Sequence, residues 1–112
     1  IREAPALYII DELLAQGAKI NAFDPEGMPH VAKIYGDKIN LVEEMYEALN
    51  GAHALAIVTE WSEFRTPTFS EMAELMHNKV IFDGRNVYDI EAMQEIGFEY
   101  YSIGREVVRH NP

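Results

Sequence analysis

Arg85 follows a short apolar run, Val80-Ile81-Phe82, and an Asp83-Gly84 pair, and Asn86 comes directly after it. Three residues of strand propensity running into a turn pair read as a buried parallel strand that delivers polar side chains to the edge of a sheet. Gly84 lets the chain turn without a Cβ clash, so Arg85 stands just beyond the strand's carboxyl end, where ligands of open α/β sheets sit. A guanidinium in that place can hold a phosphate through two parallel N–H···O bonds. The ordinary alternative is that Arg85 closes the last turn of a helix or pairs with a neighbouring carboxylate.

The pattern recurs along the chain. Four of the five arginines, Arg2, Arg65, Arg85 and Arg105, fall at helix starts or in loops that follow strands. If the strands are parallel, their carboxyl ends share one edge, and Asp24, Thr59, Glu60, Trp61, Asp83, Arg85, Asn86 and Arg105 collect there. A chain of net charge −10 that gathers arginine on one edge is prepared for an anion, and a phosphate-bearing ligand fits that description. The same charge argues against nucleic acid or an anionic membrane as partner.

The elements that must position these residues follow from periodicity. Residues 4 to 16 read as a helix with Leu7, Ile10 and Leu14 on one face, and Gly17 as its left-handed stop. Ala18 to Phe23 reads as a strand ended by Asp24-Pro25. Glu26 to Gly36 reads as irregular chain with one short helix between Pro29 and Tyr35, and Ile39 to Leu41 as a minor edge strand. A second helix is expected over Val42 to Leu49. The unbroken apolar run Ala54 to Val58 suits a strand covered on both faces. Thr68 and Glu71 have the spacing of a capping box, and Phe69, Met72, Ala73 and Met76 line one face of the helix behind them. Lys79 to Phe82 is the next strand. Asp89 opens a last helix that Gly97 stops, Phe98 to Ile103 is the final strand, and residues 106–112 are expected to be a loose tail. Helix and strand alternate throughout, which predicts an α/β fold: a doubly wound, mostly parallel sheet of about four to six strands with helices on both faces.

Composition bounds the rest. The chain has 112 residues, 48% hydrophobic and 25% charged, enough for one soluble domain with its own core. No apolar run approaches the ~20 residues that span a bilayer, and no signal peptide is visible. There is no cysteine, which excludes disulfides, thiolate metal sites and a cysteine nucleophile within the chain and suits a cytoplasmic protein. The first residues, Ile1-Arg2-Glu3, lack an initiator methionine, so a piece of something longer is expected. No glycine-rich dinucleotide fingerprint follows a strand, and there is no P-loop. His30, His53, His77 and His110 are scattered without ligand spacing, so no metal site is expected. Glu43-Glu44 and the Glu71, Glu74 pair suit solvated helix faces, and Trp61 and Tyr100-Tyr101 suit packing. No nucleophile stands beside a base, so no catalytic residue is assigned. The chain has the character of a binding half without a catalytic half.

Four stretches carry a resemblance. Asp24-Pro25 after a strand, Ala54-Leu55 leading to Thr59-Glu60-Trp61-Ser62-Glu63-Phe64, Phe82-Asp83-Gly84-Arg85-Asn86, and Tyr101-Ser102-Ile103-Gly104-Arg105 stand in the order seen in the UDP-glucose/GDP-mannose dehydrogenase family. Together with the opening Arg2-Glu3-Ala4-Pro5-Ala6-Leu7 they resemble its C-terminal, UDP-binding domain, in the branch that acts on UDP-glucose. The resemblance covers essentially the whole chain. It implies a Rossmann-like fold and a parent enzyme that oxidises the C6 alcohol of a UDP-sugar to a carboxylate in two NAD-dependent steps, through intermediates on a cysteine. The NAD-binding domain and that cysteine would lie in the remainder of the parent chain, itself expected to be a homo-oligomer, and the isolated piece would be inactive. By position, Arg2 matches an arginine that contacts NAD, and Arg85 one that contacts the UDP-sugar. Glu60, Trp61, Asp83 and Asn86 are read as supports of those loops. His53 departs from the family, which usually has an acidic residue there, and Glu26 to Gly36 matches weakly.

Two other readings stay open at this point. One is a stand-alone nucleotide-binding or regulatory module of the same topology. The other is a receiver-like domain with Asp83 as phosphoryl acceptor. A receiver needs an acidic cluster at an earlier strand end and a late lysine. Asp24 is alone at its strand end and Arg105 takes the lysine's place, which weighs against it.

Overall fold

A computed structural model describes residues 4–24, 28–58 and 67–109. The chain divides into two compact units, Ile1–Leu49 and Asn50–Pro112. Among the described residues, none of the helices is long and apolar enough to cross a membrane.

The first unit runs α1 (Ala4–Ala15), β1 (Asn21–Ala22), α2 (Met28–Tyr35), a 3₁₀ turn (Gly36–Lys38), β2 (Asn40–Leu41) and α3 (Met45–Leu49). β1 and β2 pair in parallel, Asn21 opposite Asn40 and Ala22 opposite Leu41. The Asn40 N–H reaches the Ile20 carbonyl at 2.8 Å and the Val42 N–H reaches Ala22 at 3.0 Å, so the pairing outruns the two-residue strands. The pair is also tied through side chains: Asn40 Nδ2 donates to Asn21 Oδ1 at 3.1 Å. Buried Val31, Tyr35 and Ile39 pack with Leu7, Ile10 and Leu14 of α1 and with Ile20, Ala22 and Leu41. The Tyr35 hydroxyl donates to Asp11 Oδ1 at 2.8 Å, which fastens α2 to α1. The short helix expected between Pro29 and Tyr35 is α2, which begins one residue earlier, and the helix expected from Val42 begins only at Met45.

The second unit runs β3 (Leu55–Ile57), α4 (Phe69–Leu75), β4 (Val80–Asp83), α5 (Ile90–Ile96) and β5 (Glu99–Ser102). Its three strands form a parallel sheet in the order β3-β4-β5, and a parallel step needs a crossover, which α4 and α5 provide. The register sets Leu55, Ile81 and Tyr100 in one row and Ala56, Phe82 and Tyr101 in the next. Ile81 and Tyr100 are fully buried, as are Met72, Met93 and Phe98. In the alternate row Phe82 is 48% exposed, and its ring stacks on Tyr101 with centroids 4.9 Å apart.

The stop of α5 is the one expected from the residues, whereas α4 ends at Leu75 and leaves Met76 just past it in extended conformation. Gly97 takes the left-handed conformation (φ 81°) and closes α5, its N–H bonded to the Met93 carbonyl. Thr68 and Asp89 occupy the N-cap positions of α4 and α5 in extended conformation, but neither makes a side-chain capping bond. The segment expected to be loose after Arg105 is tied down at Val108. That residue is buried and exchanges two backbone bonds with Tyr100, at 2.9 and 3.0 Å.

Met93 points from α5 into the sheet's packed face, and truncating it leaves a cavity. Met93→Ala should destabilise the chain by about 2–5 kcal/mol. Phe82→Ala, on the exposed row, should cost less than half as much in the same chemical denaturation series.

Candidate functional site

The site grows from one carboxylate. Asp83 ends β4 with its side chain on the buried side of the sheet, only 2% exposed. A charge in that position must be satisfied by donors, because the protein interior solvates it poorly. The chain after it supplies them. The backbone N–H of Arg85 donates to Asp83 Oδ1 at 3.0 Å, and those of Val87 and Tyr88 donate to Oδ2 at 2.7 and 3.0 Å. A fourth donor comes from the neighbouring strand: the Tyr100 hydroxyl lies 2.6 Å from Oδ2, with the Tyr88 carbonyl at 3.0 Å as its longer acceptor contact. The loop of residues 84–88 is thus folded around the carboxylate that precedes it.

Two further constraints fix the loop's outer side. The Gly84 N–H donates to the Ile57 carbonyl at 2.8 Å, joining the loop to the end of β3. A Cβ at position 84 would stand 3.0 Å from that same carbonyl oxygen, a tight contact that the end of β3 would have to relieve by a few tenths of an ångström. Asn86 adopts positive φ (53°), a conformation that asparagine tolerates better than most residues. Its amide then behaves like a peptide unit. Nδ2 donates to the Ile103 carbonyl at 3.0 Å, and the Ile103 N–H donates to Oδ1 at 2.8 Å. That pair of bonds clamps the loop after β4 to the loop after β5.

Arg105 lies beyond β5. Its Nη2 donates to the Tyr100 hydroxyl at 2.7 Å and its Nε to Ser102 Oγ at 3.1 Å, while the guanidinium sits 5.6 Å from the centre of the Tyr100 ring. Burial, and after it the hydrogen bond to Asp83, push the Tyr100 phenol well above the ordinary 10.0; the Arg105 charge opposes this without cancelling it. Tyr100 therefore stays neutral and keeps its proton on the Asp83 side.

Arg85 differs from its neighbours. It is exposed, and among the described residues its guanidinium has no partner, while its backbone is held by Asp83. A guanidinium without a partner among the described residues, on a loop this firmly held, has the chemistry to take an anion.

Of the residues singled out in the sequence, the structure brings Asp83, Arg85, Asn86 and Arg105 together at the carboxyl ends of β4 and β5. Asp24 belongs to the first unit, after β1. Arg2, Thr59, Glu60, Trp61 and Arg65 lie outside the described residues. Tyr100 was read only as packing. Its place in the network could be inferred from the alternation of β5: a tyrosine on the inward row beside a strand that ends in a buried aspartate is in reach of it. No group of three or more potential metal ligands occurs among the described residues.

Comparison with known proteins agrees with the sequence motifs. Residues 1–90 match the UDP-glucose/GDP-mannose dehydrogenase family, UDP binding domain. The UDP-glucose 6-dehydrogenase TuaD of Bacillus subtilis (strain 168) is 38% identical over 109 residues, covering 97% of this chain and 24% of that protein. The UDP-glucose 6-dehydrogenase of Pseudomonas aeruginosa is 38% identical over 115 residues, covering 98% of this chain and 25% of its own length. The chain therefore spans about a quarter of the curated relatives it matches. Among solved structures, the UDP-D-ManNAc dehydrogenase from Pyrococcus horikoshii superposes with a TM-score of 0.55 at 18% identity, over 93% of this chain and 31% of that one. That likeness supports the Rossmann-like α/β fold.

The raised phenol has a consequence for alkaline stability. In the unfolded chain Tyr100 ionises near 10.0 and in the folded chain well above it, so its contribution is intact below pH 10.0 and is lost as pH rises beyond that value. Tyr35, pushed up to about 12 by burial and by its bond to Asp11, acts in the same direction. Tyr100→Phe should lower stability at neutral pH by about 1–3 kcal/mol, because Asp83 loses a donor. It should also flatten the fall in denaturation midpoint as pH rises from about 10 to about 12.

Proposed function

Because the chain belongs to the UDP-glucose/GDP-mannose dehydrogenase family, whose UDP binding domain it matches, we propose that it is the UDP-sugar-binding domain of an NAD-dependent UDP-glucose 6-dehydrogenase. The observation that carries this reading is Arg85, an exposed guanidinium without a partner among the described residues, on a loop whose backbone is bound to a buried carboxylate. In this account Arg85 contacts the nucleotide sugar. A fork of donors fixed in place can orient the distant C6 carbon for oxidation, since holding one end of a substrate restricts the other. Asp83 and Asn86 support that contact through the loop, and Glu60 and Trp61 are assigned the same supporting role from the other strand end.

Oxidation of an alcohol to a carboxylate removes two hydrides, and NAD supplies the acceptor chemistry when bound. The one residue of this chain assigned toward it is Arg2, which lies outside the described residues. The chain has no cysteine, so covalent chemistry on a thiol would fall to the rest of the parent chain. We place that parent in the cytoplasm as a homo-oligomer, and this domain alone is inactive. A half-site also binds its ligand weakly, because the missing half supplies part of the contacts. A sibling dehydrogenase acting on another nucleotide sugar is the second reading. The structural likeness to an enzyme named for UDP-D-ManNAc keeps it in view.

NADH formation by the full-length protein separates the two. Supplied in turn with UDP-glucose, GDP-mannose and UDP-N-acetylmannosamine, it should turn over UDP-glucose alone. Turnover of another sugar instead would move it to the sibling branch, and no turnover would favour a binding module. Arg85→Ala should raise KM for the nucleotide sugar about ten- to a hundredfold, the loss of a charge-assisted contact. Arg2→Ala should act mainly on KM for NAD. Equal effects of both variants on both ligands would show that the two arginines are misassigned.

A further inference from the structure

We propose that Tyr100 is a positioning residue for Arg85, acting through the Asp83 carboxylate; the inference rests on the binding role assigned to Arg85. Three of the four donors to Asp83 converge on Oδ2: the Val87 and Tyr88 amides and the Tyr100 hydroxyl. Oδ1 is left for the Arg85 amide. The phenol decides this division. It comes from the neighbouring strand rather than from the loop and gives Oδ2 its shortest contact, so the carboxylate cannot turn without breaking it.

Tyr100 can hold that position because it is itself fixed on every side. Its backbone lies opposite Ile81 within the sheet and exchanges two bonds with Val108 on its other side. Its side chain is wholly buried, and Arg105 donates to its hydroxyl while lying against its ring. Arg105 is in turn held by Ser102. A continuous line of hydrogen bonds therefore runs from Arg105 through the Tyr100 oxygen and the Asp83 carboxylate to the Arg85 backbone. The two arginines on this edge have different tasks: Arg105 is spent on the protein's own phenol, and Arg85 is left for a ligand.

The test is a double-mutant cycle in the full-length enzyme, read as KM and kcat for UDP-glucose. Tyr100→Phe should raise KM about three- to tenfold with kcat within about twofold, the split expected when a binding group is displaced but the chemistry is not. In an Arg85→Ala background the same substitution should leave KM unchanged, because the group it positions is gone. Tyr101→Phe, whose hydroxyl bonds Glu99 outside this line, should leave KM at the wild-type value. A folded Tyr100→Phe enzyme with unaltered KM would overturn the proposal, as would an equal rise in KM with and without Arg85. An Arg85→Ala enzyme with normal KM would instead overturn the binding role itself, a result visible without any change at Tyr100. Should Tyr100→Phe not fold, Arg105→Gln probes the line from its outer end. A rise in KM that vanishes in the Arg85→Ala background would support the proposal, and no rise would overturn it.

Discussion

A carboxylate buried at the end of a parallel strand is the constraint on which this edge of the protein depends. Asp83 is 2% exposed, and a charge left unsatisfied there would be strongly destabilising. Its two oxygens are met instead by three backbone amides and a phenol. Those amides belong to consecutive turns of one short loop, so satisfying the charge and shaping the loop are the same event. The conformation of Arg85's backbone follows from the electrostatics of its neighbour two residues earlier.

The polar residues around it then divide into two kinds. Asn86 and Arg105 have the chemistry of ligand-binding residues, yet both are bonded to the protein itself, one as a clamp on Ile103 and the other as a donor to Tyr100. Arg85 alone of the three keeps its guanidinium outward, without a partner among the described residues. Rigid support beneath an unpaired cation lowers the ordering cost of capturing an anion, because less conformational freedom remains to be lost on binding. Membership of a family with a UDP binding domain gives that anion an identity consistent with the chemistry.

Much of this was legible in the residues. The helix–strand alternation announces parallel pairing, Gly97 a helix stop, and Lys79 to Phe82 a strand that delivers polar groups to an edge, though the structure extends that strand through Asp83. Strand β2 was legible only faintly, since two paired residues leave little periodicity to detect and the Asn21–Asn40 side-chain bond has no sequence signature. Helix α2 is legible between Pro29 and Tyr35 because Pro29 sits in its first turn, where the missing N–H costs nothing. The tie between Val108 and Tyr100 was missed because a single bridge at the end of a chain carries no pattern. Tyr100 was taken for packing for a related reason. Its ring does pack, and only the neighbouring strand's buried aspartate gives its hydroxyl a task.

The most direct test of the central claim is a crystal structure of the full-length protein with UDP bound. The account predicts the Arg85 guanidinium within hydrogen-bond distance of the nucleotide, with Asp83 still accepting the amides of Arg85, Val87 and Tyr88. UDP bound away from this edge, with Arg85 left in solvent, would contradict it.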